Sequence, residues 1–260
     1  MSVSLNNKSI LVTRPRHQAG RLCALITDNR GQAILFPTID IKRVEESAHN
    51  ELSRGDALSD FDIVIFVSRN AVKFACDHYL SRADLQKDIQ FVAIGVGTAE
   101  AMSEWGIMPV LHAGVHADSE TLLQLPEMQN DQLAGKNILI IRGLGGREYL
   151  ADNLLSRGAS VDYAEVYRRC LPEYEVNDCH KIWQDIKPEA IIVSSNEGLA
   201  NLVSLTPEID QQQLFSTPLV LMSARSVNLA KQSGFVSKMS IAKVKNDEGL
   251  LLALLDLVGE

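Results

Sequence analysis

Short apolar runs alternate with amphipathic stretches along most of this chain. Ile138-Leu139-Ile140-Ile141 is the clearest run, four apolar and mostly β-branched residues that suit a strand buried on both faces. A loop with three glycines between two arginines follows, Arg142-Gly143-Leu144-Gly145-Gly146-Arg147. From about Glu148 the spacing of Leu150, Leu154 and Leu155 predicts a helix that stops at Gly158. Ala159 to Val166 predicts a second strand, with Tyr167-Arg168-Arg169 beyond it. Further strands are predicted at Ile10–Thr13, Asp62–Val67, Phe91–Ile94 and Met108–Leu111. The helix after the first carries Leu22, Leu25 and Ile26 and ends at Gly31. Ser68-Arg69-Asn70 opens another with capping residues, Gly95-Val96-Gly97-Thr98 leads into one ending at Gly106, and Ser119 caps one through Leu125. Ala33 to Ile41 reads as extended, but Pro37 has no N–H to give to a ladder, so this segment is an edge strand or a connector. Lys42 to Ser59 is polar and predicted helical with loose ends, and Glu127 to Ala134 is predicted to be flexible.

The series occurs twice. Lys8-Ser9-Ile10-Leu11-Val12-Thr13-Arg14 matches Lys136-Asn137-Ile138-Leu139-Ile140-Ile141-Arg142, and Gly31 falls where Gly158 does. Phe66-Val67-Ser68-Arg69-Asn70 matches Ile192-Val193-Ser194-Ser195-Asn196, and Phe91–Gly95 resembles Leu219–Ser223. Thr98 falls on Ser226, Gly106 on Gly234, and Glu120-Thr121-Leu122-Leu123 on Glu248-Gly249-Leu250-Leu251. Nearly every pair is 126 to 128 positions apart, which is too long for a solenoid and reads as two diverged copies of one α/β half. Buried strands alternating with helices predict parallel sheets covered on both faces. Ligands of such sheets bind outside the carboxyl ends of the strands. Those ends are Arg14, Ser68, Gly95, Arg142, Ser194 and Ser223, supplied by both copies, so the expected site is a cleft between two lobes.

Composition narrows the function. A chain of 260 residues is long enough for two modest domains, and 46% hydrophobic with 22% charged residues is ordinary for a soluble globular protein. A formal charge of −8 and a pI near 5.3 argue against nucleic acid as a partner, while leaving room for a local site that takes a small anion. Cys23, Cys76, Cys170 and Cys179 form no C-x-x-C pair and share no metal-ligand spacing with the histidines, which fits a reducing cytoplasm. The N-terminus has no apolar run of signal-peptide length, and no run approaches the ~18 residues of a membrane span.

The familiar motifs are absent or imperfect. Gly95-Val96-Gly97 has Glu100 at the third glycine position of a dinucleotide loop, and Gly143-Leu144-Gly145-Gly146 lacks the Lys-Ser/Thr of a P-loop. His17, His49, His78, His112, His116 and His180 lie in polar or loop contexts and read as surface histidines. Serines and threonines after strands are commonly helix caps, yet polar residues recur at every strand end in both copies. Arg14 and Arg142 are equivalent in the repeat and point to an anion site. Asn70, Thr98, Gly143, Gly145, Arg147, Ser195 and Arg225 flank the same ends and complete the candidate binding set. Tyr167, taken alone, reads as an amphipathic surface tyrosine. Two other classes fit the pattern less well. One is a two-lobed small-molecule binding module of the periplasmic-receptor type, the other a nucleotide-dependent oxidoreductase.

Ile10-Leu11-Val12-Thr13-Arg14-Pro15, Pro37-Thr38-Ile39-Asp40-Ile41, Phe66-Val67-Ser68-Arg69-Asn70-Ala71-Val72, Ala93-Ile94-Gly95-Val96-Gly97-Thr98-Ala99, Arg142-Gly143-Leu144-Gly145-Gly146-Arg147 and Val166-Tyr167-Arg168-Arg169 stand in this order and spacing. Together they resemble the uroporphyrinogen-III synthase family over essentially the whole length. Arg69 and Val96 depart from the residues common at their positions.

The resemblance implies two three-layer α/β domains, flavodoxin- or Rossmann-like, joined by a two-stranded connector. Residues 1–36 with 172–260 would form one domain, 42–165 the other, and 37–41 with 166–171 the connector. It implies a cyclising hydro-lyase of tetrapyrrole and heme biosynthesis, which closes hydroxymethylbilane to uroporphyrinogen III with inversion of the last ring. No cofactor and no metal are implied. Tyr167 would help the hydroxyl leave, and Thr98, Ser68 and Ser194 would hold substrate carboxylates. A lobe-on-lobe hinge, transient contact with hydroxymethylbilane synthase and a monomeric state are the remaining expectations.

Overall fold

The computed structural model describes residues 4–44, 52, 58–81, 83–86, 89–108, 110–115 and 117–259. The chain divides into two compact units, Met1–Ile41 with Cys170–Glu260, and Lys42–Arg169. Each has its own sheet.

In the first unit the strands β1 (Ser9–Val12), β2 (Gln32–Leu35), β9 (Ala190–Val193), β10 (Leu219–Leu221) and β11 (Met239–Ile241) form one sheet in the order β11-β10-β9-β1-β2. All its pairings are parallel. Successive residues of a strand point to opposite faces, so a strand covered on both sides must be apolar at every position. Ile10, Val12, Ala190, Ile192 and Val220 pack on one face with Leu22 and Ile26 of α1 (Arg16–Asp28) and Leu250, Ala253 and Leu254 of α11 (Asp247–Val258). Leu11, Ile191, Val193, Leu219 and Leu221 pack on the other, with Trp183, with Leu199 and Leu202 of α8 (Asn196–Leu205), with Leu214 of α9 (Gln211–Ser216) and with Ala230 of α10 (Ala224–Gln232). Trp183 lies in a π-helical turn, Ile182–Ile186, that continues α7 (Val176–Lys181).

The second sheet has the order β3-β8-β7-β4-β5-β6, from β3 (Asp40–Arg43), β4 (Ile63–Phe66), β5 (Gln90–Ala93), β6 (Val110–His112), β7 (Asn137–Gly143) and β8 (Ser160–Cys170). From β8 to β6 the pairings are parallel. Ile63, Ile65, Val92, Ile138 and Ile140 pack with Leu122 of α4 (Ser119–Leu122), Leu133 of α5 (Asn130–Leu133) and Leu150 and Leu154 of α6 (Tyr149–Ser156). Val64, Phe66, Leu139 and Ile141, which alternate with them, are also buried, and α2 (Arg69–His78) lies against β7 and β4.

Several elements differ from the sequence pattern. The extended segment at Ala33–Ile41 is broken into β2 and β3, with Pro37 beyond the end of β2, an edge strand, where it removes no ladder bond. Asp118, not Ser119, caps α4 in a capping box with Thr121, and that helix ends at Leu122. The stretch from Glu127 to Ala134 is built as short helical turns, because Met128 and Leu133 are fully buried and anchor it. Of the helix predicted at Lys42–Ser59, Lys42 and Arg43 end β3 instead, and most of the remainder lies outside the described residues.

Helix α11 starts where a glycine is required for room. Asn246 accepts a hydrogen bond from the Gly249 N–H at 2.8 Å, and a Cβ at 249 would overlap the carbonyl oxygen of Val244. Gly249→Ala therefore forces backbone apart in a packed corner. It is expected to lower stability by about 1–3 kcal/mol, read as a lower urea midpoint with an unchanged m-value.

Candidate active site

The carboxyl ends of adjacent strands β7, β4 and β5 carry eight of the candidate residues in the second unit, and β8 carries a ninth, Tyr167. Ser68 ends the turn after β4 and caps α2, its Oγ accepting the Ala71 N–H at 3.1 Å. Asn70, in the first turn of α2, is buried. Gly95 is the cap residue of α3 (Val96–Glu104), with Thr98 buried in the first turn of that helix. Arg69 spans the two helix starts, its Nε donating to Gly97 O at 2.8 Å and its Nη2 pairing with Glu100 at 2.6 Å. Unpaired N–H groups of first turns are partial positive charges aimed outward, which suits anions.

Tyr167 lies within β8, not beyond it, and is only 5% exposed. The surface reading of this residue is therefore corrected. Its hydroxyl stands 3.2 Å from Ser68 Oγ. Its ring packs at 5.8 Å from that of Phe74, a residue of α2 that the sequence pattern did not single out.

Arg142 is 8% exposed and committed to its own chain. Its Nε and Nη2 donate to Glu165 Oε1 at 3.2 and 3.1 Å, its Nη1 lies 2.9 Å from Glu148 Oε1, and its guanidinium sits 3.6 Å over the Tyr163 ring. Tyr163 donates its hydroxyl to Glu148. That hydrogen bond, with help from Arg142, holds the Glu148 carboxyl below the usual range, while burial and Glu148 push the Tyr163 phenol up. The glycine loop folds back on this cluster: Gly145 takes a φ of 74°, and a Cβ at Gly146 would stand 3.3 Å from Arg142 Cδ. Arg147 is exposed and stands 3.5 Å from Glu120. The signal that could have revealed the cluster is Glu165, a carboxylate two positions from Tyr163 and so on the same face of a partly buried strand.

In the first unit, Arg14 is paired with Asp247. Neither Arg14 nor Arg142, the two arginines expected from the sequence to mark an anion site, is a free cation. Ser195, one position after Ser194, caps α8 by accepting the Gly198 N–H at 3.0 Å. Ser223 is the cap residue of α10, its Oγ 3.4 Å from Ser226 Oγ, which donates to Asn196 Oδ1 at 2.7 Å. Arg225 is exposed in the first turn of α10.

Other chemistry finds little support. Among the described residues no cluster of three or more His, Cys, Asp or Glu is placed to hold a metal. All four cysteines are free, and burial pushes the Cys76 thiol up to about 12, which leaves it inert. His17, His78 and His112 are exposed, His49 and His116 lie outside the described residues, and His180 is half-exposed with its Nδ1 2.7 Å from buried Asp210. No described helix is long and apolar enough to cross a membrane.

Fold and site define an α/β protein of two parallel-sheet units whose strand ends present helix N-termini, hydroxyls and one buried tyrosine. The chain matches the family model described as uroporphyrinogen-III synthase HemD over residues 20–251. It is 34% identical over 251 residues to the uroporphyrinogen-III synthase of Escherichia coli (strain K12), covering 95% of this chain and 99% of that one. With the enzyme of the same name from Proteus mirabilis it shares 32% over 199 residues, 75% of this chain and 98% of the other. The crystal structure of uroporphyrinogen-III synthetase from Helicobacter pylori 26695 has the same fold, with a TM-score of 0.64 at 14% identity, covering 96% of this chain and 99% of that one. The chain belongs to the uroporphyrinogen-III synthase family.

Two outcomes test the cluster. Arg142→Ala strands Glu165 half-buried without its cation and is expected to lower unfolding free energy by about 3–5 kcal/mol in denaturant titrations. Because the Glu148 pKa is depressed in the fold, its contribution is present above the ordinary glutamate range and lost as pH falls through the folded value. The stability gap between the parent chain and Tyr163→Phe should therefore shrink as pH is lowered below that range, in urea midpoints measured across pH.

Proposed function

We infer that this chain carries out the reaction its family is named for, closing linear hydroxymethylbilane to uroporphyrinogen III with inversion of the last pyrrole ring and loss of water. One observation carries the reading: the match to enzymes of that name runs along nearly the whole chain. The alternative, a two-lobed binding module, has no comparable support.

The substrate carries eight carboxylates. Within each unit, first-turn N–H groups (at α2 and α3 in one, at α8 and α10 in the other) and nearby hydroxyls (Thr98 in the one, Ser194, Ser195 and Ser223 in the other) suit carboxylates without bringing many full positive charges together. Exposed Arg147 and Arg225 can add to the field; buried Arg142 and paired Arg14 shape loops and helix starts. Tyr167 donates its proton to the departing hydroxyl, which leaves as water as electrons from the ring nitrogen form the exocyclic double bond. The already substituted carbon of the last ring then attacks, giving a spiro intermediate that fragments and recloses. Hydroxymethylbilane also cyclises unaided without inversion, so the enzyme's main task is to hold the chain in the folded conformation that favours attack at that carbon.

We further propose that residues 1–36 with 172–260 and residues 42–165 act as two domains, with 37–41 and 166–171 as connectors. The division of the chain at Ile41/Lys42 and Arg169/Cys170 supports this. The internal repeat is supported by strand order: β11-β10-β9-β1-β2 in one sheet corresponds to β6-β5-β4-β7-β8 in the other. Free cysteines suit a reducing cytoplasm. A monomer receiving its labile substrate from hydroxymethylbilane synthase completes the proposal.

Purified protein supplied with hydroxymethylbilane, its product oxidised and resolved into isomers, should give type III; type I alone overturns the reading. Tyr167→Phe should slow turnover about 10- to 100-fold, at or below the low end of general acid catalysis, and unchanged kinetics would remove Tyr167 from the mechanism. Thr98→Ala should raise the share of type I product. An unchanged rate and isomer ratio would leave Thr98 a packing residue.

A further inference from the structure

Strands β7 and β8 pair without interruption from Asn137 opposite Ser160 to Arg142 opposite Glu165, and then slip, so that Gly143 stands opposite Tyr167. Val166 is the extra residue on β8, a one-residue bulge. Bulges re-aim the side chains that follow them. In an unbroken ladder Tyr167 would share a face with Tyr163 and Glu165, the face on which the Arg142 guanidinium is held. The slip turns Tyr167 to the opposite face, beside Gly143. A Cβ at 143 would stand 2.6 Å from Tyr167 Cζ, 2.7 Å from Cε2 and 3.0 Å from the hydroxyl oxygen. The ring thus occupies the space that a side chain at 143 would fill. The Leu144 N–H donates to Tyr167 O at 2.8 Å just past the slip. The Phe74 ring packs against the Tyr167 ring, and the hydroxyl reaches Ser68 Oγ at 3.2 Å.

We propose that Gly143, the bulge at Val166 and Phe74 are positioning residues for Tyr167. They place the phenol on the Ser68 side of the sheet and keep it from the Arg142–Glu165 ion pair, where its proton would meet a carboxylate instead of substrate. The inference rests on the role given to Tyr167 above. It assigns Gly143 a task other than substrate contact.

The test is Gly143→Ala, alone and combined with Tyr167→Phe, in protein labelled with ¹³Cζ-tyrosine. The Tyr167 resonance is identified by its loss in Tyr167→Phe. Gly143→Ala should move that resonance, lower kcat toward the Tyr167→Phe value with KM changed less than about twofold, and slow the Tyr167→Phe protein no further. A structural defect would slow both backgrounds alike, and that result overturns the proposal, as does an unmoved resonance in folded Gly143→Ala. If Gly143→Ala does not fold, Phe74→Leu leaves both backbones intact and should move the same resonance and lower kcat; no movement overturns the proposal. Wild-type turnover by Tyr167→Phe would instead remove the acid role of Tyr167, and the resonance would still decide whether Gly143 sets its position.

Discussion

Parallel pairing governs this molecule. When all strands of a sheet run the same way, all their carboxyl ends fall on one edge, and each chain that leaves that edge enters a helix by its N-terminus. The first sheet is built this way throughout and the second from β8 to β6, and so within one sheet the residues after β4, β5 and β7, and within the other those after β1, β9 and β10, are gathered whatever their separation in sequence. Ser68 and Gly143 are 75 positions apart along the chain and stand on adjacent strands. The edge is also where first-turn N–H groups collect, a local source of partial positive charge on a protein whose net charge is −8.

This resolves how an acidic chain can suit a polyanionic substrate. Buried Arg142 is already neutralised by Glu165 and Glu148, and the partly buried Arg14 by Asp247. A guanidinium inside a protein is tolerated only with such partners. The attraction for carboxylates proposed here rests on amide dipoles at helix starts, which need no counter-ion of their own. Arg142 serves the edge indirectly, folding the glycine loop back and occupying the face of β8 that Tyr167 is kept from.

Much of the architecture was legible in the residues. Fully covered strands must be apolar at each position, so Ile138–Ile141 and Ile63–Phe66 could be recognised without knowing their neighbours. Glycines and caps marked the helix ends for the same local reason. Glu127–Ala134 misled because its polar spacing hides two residues, Met128 and Leu133, whose burial alone orders the segment. Ser119 misled because Asp118 beside it, an equally good capping type, takes the cap position.

The sequence by itself determined the strands, the helices and the set of polar residues at strand ends, because each follows from the contacts a residue makes within a turn or a pleat. Only the tertiary structure decided which arginines are neutralised and where Tyr167 points. Glu165 and Asp247 are far from obvious partners along the chain, and a slip of one residue between β7 and β8 leaves no mark in either strand's own pattern. Register is a property of two strands together, and it is register that puts the phenol over Gly143 and beside Ser68.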